Sequence, residues 1–216
     1  MCGRYTVLTE REIIEIREIL QEISLRIAKD EFTDYVERPG EIRPTDSAPV
    51  ITSNRDGIFF ESAKWGFKKW SGSGVIINAR SETVKSAGMF KGLVNTGRCV
   101  VPAADFYEWQ KLEKGKKKHY AKDKAGNLLF MAGLYRDTDE GREFVIITKE
   151  AAGEMAAIHD RMPVILKVDQ IEAWLNGVLS PDDLPAMDVF LSVVPCEDEV
   201  GDENNNSNTQ MSLWED

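Results

Sequence analysis

The sequence predicts an α+β domain built on curved, barrel-like antiparallel sheet with flanking helices, and three observations carry that reading. Short runs rich in Val, Ile, Phe, Tyr and Trp recur along most of the chain. Turn residues separate them, and helical patterns fall between only some of them. The regular strand–helix alternation of a parallel sheet is missing.

The first run is CGRYTVL, a short strand. Thr9 and, three residues on, Glu12 form a capping box that opens a helix. The apolar face of this helix is Ile13, Ile16, Leu20, Ile23 and Ile27, at spacings of three and four. It reads as scaffold. A turn-rich loop, RPGEIRPTDSAP, leads to the runs PVITS, GIFFESAKW, VIINAR, RCVVPA, DFYEWQKL, KHYAK, NLLFMAGLY, EFVIIT, MPVILK and VFLSVVP, each of strand character. Short helices are predicted near 82–90, 150–158 and 169–175. From residue 197 the chain turns acidic and Asn-rich, with little to bury, so residues 2–196 read as one domain and 197–216 as a disordered tail.

Composition excludes several function classes. No apolar stretch approaches the roughly 18 residues of a membrane span, and no basic flank precedes an apolar run, so the chain reads as cytoplasmic; a monomer is expected. Cys2, Cys99 and Cys196 are far apart, and His119 and His159 lack ligand spacing, so neither a disulfide framework, a metal site nor a cofactor is expected. The net charge of −10 argues at first against nucleic acid. Its distribution changes that, because the last 21 residues hold seven acidic residues and no basic one. Between Lys64 and Arg98 stand seven basic residues against one acid, Glu82, enough for a local positive face.

Cys2 directly follows the initiator Met1. Removal of Met1 leaves a 1,2-aminothiol, with an amine of pKa about 7.7–8.0 and a thiol of about 8.5, both partly nucleophilic at neutral pH. In VIINAR, Asn78 and Arg80 share one face of a strand, with Ile77 and Ala79 on the other. DFYEWQ alternates likewise, Phe106, Glu108 and Gln110 against Tyr107 and Trp109. A carboxylate among aromatic residues suits a general acid with a raised pKa, although Glu108 taken alone fits a solvated strand face better. His159, in AAIHDRMP, stands at a helix end before a turn with Pro163, bracketed by Asp160 and Arg161, and is suited to proton transfer. His119, in a lysine-rich turn, reads as solvated surface. Trp65 and Trp70 stand among lysines, the composition of a base-stacking platform, with Trp65 the better core residue of the two.

Taken in order, MCGRY, WG, INARSET, RCVVPAADFYEW and IHDRMP resemble the SRAP family, the SOS-response-associated peptidases, known for covalent capture of abasic sites in single-stranded DNA. The resemblance runs from Cys2 to about Pro195. It implies that Cys2 condenses with the aldehyde of a ring-opened abasic sugar to give a thiazolidine, an activity of lyase or peptidase type. It further implies that Asn78 orients the linkage, Glu108 moves protons during imine formation, and His159 assists ring opening or reversal. Arg4, Arg80 and Arg161 would hold phosphates, and Trp70, Met89, Phe90 and the turn at Pro44 would shape the groove around the lesion. The implied setting is DNA repair at the replication fork.

The chain departs from the family pattern in two places. Gly40-Glu41-Ile42-Arg43-Pro44 stands where many relatives carry an aromatic-Asn-x-Ala-Pro sequence, so a carboxylate faces that region in place of an amide. Gly88 stands where some carry a basic residue. Two other readings are open, an N-terminal-nucleophile amidohydrolase, which also begins Met-Cys-Gly, and a noncatalytic single-strand binder. Finally, Gln210, Met211, Ser212, Leu213 and Trp214 resemble the peptide that binds the bacterial sliding clamp, which makes the clamp a second expected partner.

Overall fold

A computed structural model describes residues 2–6, 9–23, 40–186 and 190–196 of the chain. The tail with its Gln210–Trp214 motif, and Ile27, lie outside the described residues.

The predicted capping box opens the first helix, α1 (Glu10–Ile23). The Thr9 hydroxyl and main-chain N–H donate to the Glu12 carboxylate at 2.8 and 2.6 Å, and the Glu12 N–H donates back to the Thr9 hydroxyl at 3.4 Å. Ile13 and Ile16 are buried, as the spacing predicts. The strands follow the predicted runs closely. They are β1 (Tyr5–Thr6), β2 (Glu41–Ile42), β3 (Ser47–Asn54), β4 (Gly57–Trp65), β5 (Phe67–Lys68), β6 (Val75–Ile76), β7 (Asn78–Arg80), β8 (Arg98–Ala103) and β9 (Phe106–Lys111). After them come β10 (Lys116–Asp123), β11 (Leu129–Thr138), β12 (Gly141–Glu150), β13 (Arg161–Pro163), β14 (Ile165–Leu166) and β15 (Leu191–Pro195). Two further helices are α2 (Leu93–Thr96) and α3 (Val168–Leu175).

The run MPVILK divides because it passes from one strand to another. At Val164 the main-chain N–H donates to the Ile147 carbonyl of β12 while the Val164 carbonyl accepts from Ala132 of β11, each at 2.8 Å. Pro163 therefore lies within β13, opposite Thr148, and not in the turn the sequence suggested. The helix expected at 82–90 is instead a chain of turns, and α2 begins only at Leu93. Local side-chain bonding competes with a helix here, as where the Ser86 hydroxyl donates to the Thr83 carbonyl, and Gly88 and Gly92 weaken it further. At 150–158 the helix is a single 3-10 stretch, Gly153–Ala157.

The architecture is α+β and mostly sheet. Strands β12, β4, β3, β8 and β11 pair in that order, and β11 pairs back to β12, so the sheet closes on itself. Closure uses a short parallel contact, Glu143 opposite Lys64 and Phe144 opposite Trp65, and β7 also lies parallel to β12. The sheet is thus barrel-like but not purely antiparallel. A second sheet, ordered β15-β10-β9-β1-β2, is antiparallel throughout.

The pleat of the closed sheet sends alternate residues to two cores. Val100, Ala132, Leu134, Val145 and Ile147 face a core completed by α1 and α3. Cys99, Val101, Met131, Phe144 and Ile146 face the second sheet, where they meet Tyr5, Phe106 and Cys2. The N-terminal segment with Cys2 therefore sits between the two sheets. Arg98, the last residue of the basic stretch, points inward. It donates to the carbonyls of Val94, Trp174 and Leu179 and lies over the Trp174 ring at 4.3 Å, joining α2 and α3 to the barrel.

Candidate active site

Four elements bring the predicted polar residues to Cys2. Strand β1 carries the N-terminal segment along β9, and Tyr5 pairs with Phe106. Placement of β7 depends on the Trp-Gly pair. Trp65 is fully buried, and its indole N–H donates to the Ile77 carbonyl at 3.0 Å. Gly66 has φ of +117°, its N–H donates to Phe144, and a Cβ there would come within 2.8 Å of Val75. Only glycine accommodates both the left-handed turn and the close approach. The result fixes Asn78 against the N-terminal segment, where its side-chain amide donates to the Cys2 carbonyl at 3.0 Å.

Cys2 is completely buried. Burial raises its thiol pKa strongly and the nearby Glu108 charge adds to the effect, so the thiol is held protonated. Glu108 itself is buried with Phe106 on the inner face of β9, which overturns the solvated-face reading of the residue taken alone. Burial raises its pKa to about 7. Gln110, on the same strand face, ties β9 to the segment bearing His159 by donating to the Ala157 carbonyl at 3.0 Å.

His159 is half-buried, in the link between the 3-10 stretch and β13. Its Nδ1 stands between opposite partners, the Arg161 main-chain N–H at 3.0 Å and the Asp160 carboxylate at 2.7 Å. It can serve one at a time, accepting from the first when unprotonated and donating to the second when it carries a proton. Burial lowers the ring's pKa, so the neutral form dominates at pH 7. Asn78 and Glu108 thus lie against the Cys2 segment, and the Gln110 bond brings the segment that carries His159 beside β9.

The residues expected to touch DNA divide into two groups. Trp70 is 84 % exposed on the link between β5 and β6, and Arg80 is exposed at the end of β7. Pro44 lies in a tight turn closed by the Asp46 N–H donating to the Arg43 carbonyl at 3.0 Å, with Thr45 at φ +79°. The others are already engaged. Phe90 is buried against Phe67, with ring centroids 6.0 Å apart, and half-buried Met89 packs on the same core, so Phe90 backs the surface and does not project from it. Arg161 makes a bidentate ion pair with Glu82 at 2.8 and 2.9 Å, which holds the Glu82 pKa down to about 2. Arg4 pairs with Glu41 at 2.9 Å.

Sequence reasoning set aside one residue that the fold brings to the site. His119 is buried, directly opposite Glu108 on β10, with Nδ1 3.1 Å from the Lys117 carbonyl. Its signal was present in the alternation of KKHYAK, where Lys118, Tyr120 and Lys122 fall on one face and His119 and Ala121 on the other. Among the described residues, no group of three or more His, Cys, Asp and Glu could hold a metal ion, and no helix is long and apolar enough to cross a membrane.

The sequence matches the family described as SOS response associated peptidase (SRAP) over residues 1–202. The chain belongs to the SRAP family. It is 34 % identical over 213 residues to the abasic site processing protein YoqW of Bacillus subtilis, a match that covers 88 % of this chain and 91 % of that one. It is 28 % identical over 190 residues to the abasic site processing protein YedK of Escherichia coli, covering 83 % and 82 %. A phage-related protein from Bordetella bronchiseptica has the same SRAP fold at TM-score 0.71 and 27 % identity, covering 93 % of this chain and 96 % of its own. A Bacteroides thetaiotaomicron protein shares the fold at TM-score 0.73 and 22 % identity, covering 91 % and 92 %.

Proposed function

We propose that this SRAP protein recognises abasic sites in single-stranded DNA and links itself to them covalently through Cys2 once Met1 has been removed. The observation that carries the reading is the pairing of a fully buried Cys2, tied by its carbonyl to Asn78, with a carboxyl at Glu108 whose pKa lies near neutrality. The names of the SRAP relatives, abasic site processing proteins, support the substrate.

The chemistry balances with one water lost. The closed abasic sugar opens as a proton leaves its anomeric hydroxyl and another reaches the ring oxygen, a transfer suited to His159. The freed α-amine of Cys2 adds to the aldehyde carbon, and protonation of the resulting hydroxyl, by Glu108, releases water and leaves an imine. The Sγ then adds to that carbon while its proton ends on the nitrogen, closing the five-membered thiazolidine. A group with pKa near 7 serves both steps, giving a proton in one and taking it in the next. The same imine would permit strand cleavage, and loss of Met1 is the one peptide cleavage the reading requires.

Intact-mass measurement of the Met1-processed protein after incubation with an abasic single strand tests this. A species heavier by the oligonucleotide minus one water is expected. An added, untrimmed residue ahead of Cys2 should eliminate it, and Cys2→Ser should leave only a borohydride-trappable imine. A noncatalytic binder gives no adduct, and an amidohydrolase turns over glutamine instead. The proposal extends to the sliding clamp as partner of Gln210, Met211, Leu213 and Trp214, tested by anisotropy with a 208–216 peptide, and to work at the replication fork in the cytoplasm.

A further inference from the structure

We infer that the acidic residues directly after Cys196 dock on the lysine hairpin between β9 and β10, where they compete with single-stranded DNA. The docking is independent of the proposed function, and the competition rests on it.

The hairpin concentrates unpaired positive charge. Lys111, Lys114, Lys116 and Lys117 are all exposed, with Glu113 the one acid among them. Among the described residues none of the four pairs with a carboxylate, whereas Lys118 beside them pairs with Glu41. The register adds to the repulsion, because Lys111 stands directly opposite Lys116. Like charges facing each other across two strands are destabilising, and an anion placed beside them offsets that.

An open strand edge lies beside these lysines. Strand β15 is the outermost of its sheet and runs antiparallel to β10, from Leu191 opposite Asp123 to Pro195 opposite His119. The Cys196 N–H donates to the Lys118 carbonyl at 2.9 Å. Main-chain groups in an antiparallel ladder face the same neighbour at every second residue, so those of Lys116 face this edge too, one rung beyond Cys196. Among the described residues no strand meets them there. An exposed edge of that kind accepts a further stretch of extended chain.

The residues that follow Cys196 carry the matching charge. They are Glu197, Asp198 and Glu199, and no Lys or Arg occurs from there to Asp216. Carried on by two residues, the β15 register sets Glu197 opposite Lys117 and Asp198 opposite Lys116, on the side of Lys116 away from Lys111. Each such pair is weak in solvent. Together they act on a segment that β15 already delivers to the hairpin, at high effective concentration.

Competition with DNA follows from distance. Lys117 shares a sheet face with His119 and Glu108 and stands opposite Gln110, two residues along β9 from Glu108, or about 7 Å of strand. A single strand with its lesion at Glu108 therefore brings its neighbouring phosphates within reach of the hairpin. Docked carboxylates shield these lysines from undamaged strand and yield to a strand held at Cys2.

The test of docking is hydrogen exchange of the full chain, followed by NMR at low salt. Wild type is compared with Glu197→Gln/Asp198→Asn/Glu199→Gln and with Lys116→Gln/Lys117→Gln. Exchange of the Lys116 and Asp198 amides ~10-fold slower than in free peptide is expected in wild type, and its loss in both variants. Free-peptide exchange of both amides in wild type overturns the docking, and so does protection that survives both sets of substitutions. Binding of a lesion-free fluorescent oligodeoxythymidylate reads the competition. The variant altered at 197–199 should bind it ~3- to 10-fold more tightly than wild type, with a salt slope steeper by about 0.7 for each lysine freed. A control that removes as many charges farther along the chain, Glu203→Gln/Glu215→Gln/Asp216→Asn, should bind as wild type does. Equal binding by all three proteins, or equal tightening by both triple variants, overturns the competition. Adduct formation on an abasic strand is read in parallel. Its absence in wild type sinks the proposed function and the competition, while the exchange rates decide the docking by themselves.

Discussion

The Asn78 side-chain amide donates to the main-chain carbonyl of Cys2 at 3.0 Å, so a strand paired to the closed barrel holds the N-terminal segment by its backbone. Asn78→Ala should therefore lower the rate of adduct formation by ~10²-fold through loss of orientation while single-strand affinity changes little. Single-turnover crosslinking kinetics beside anisotropy measures both. Equal loss in the two would make Asn78 a binding group.

Glu108 gives a pH dependence with a defined sign. Its folded pKa of about 7 lies above the ordinary glutamate value of 4.5. The folded state thus favours the protonated form. Its stabilising contribution is complete below about pH 4.5 and is lost as pH rises through 7. Glu108→Gln should flatten the fall in stability between pH 5 and 8, by on the order of 2 kcal/mol, as followed by urea unfolding. The same variant should slow crosslinking by ~10²-fold and abolish the inflection near pH 7 in its rate profile.

Trp70 projects from the β5–β6 link with 84 % of its surface exposed, so its ring contributes nothing to the core. Trp70→Ala should leave the thermal midpoint within about a degree. It should weaken single-strand binding by about 1–3 kcal/mol, the usual loss for one stacked base. Titration calorimetry or anisotropy reads the loss.

Arg98 makes the opposite case, a cation with no exposed role. Its guanidinium satisfies three carbonyls beneath α2 and α3, and burial lowers its pKa. Arg98→Met should destabilise by about 3 kcal/mol, because the carbonyls lose a charged donor that nothing replaces. Chemical denaturation measures this, and unchanged DNA binding by the folded fraction separates it from the exposed basic residues.

Strand content, the α1 cap and the strand faces that carry Asn78 and Glu108 were legible because each has a local or ordered signal. The Thr9–Glu12 box needs only four residues, the alternation in DFYEWQ and VIINAR assigns strand faces, and the family motifs keep their order along the chain. The misread residues are those whose roles depend on partners distant in sequence. His119 belongs among lysines in the sequence but lies opposite Glu108 in the sheet, and Phe90 and Arg98 turn inward because α2 and its neighbours pack on the barrel. The ion pairs of Arg4 with Glu41 and of Arg161 with Glu82 have no signal in the sequence either, and Glu82 lies 79 residues from its partner.

The sequence by itself determined that Cys2, once Met1 is removed, carries an α-amine and a thiol on adjacent carbons whatever the fold around it. It determined strand faces as well, because side chains alternate with a period of two. Only the tertiary structure decided the environment of those groups. Burial of Glu108 between two sheets, the hold of Asn78 on Cys2 across 76 residues, and the pairing of cations with carboxylates from other strands all arise from long-range packing. Desolvation and charge pairing depend on what the chain brings within a few ångströms, and spacing along the sequence does not encode that distance.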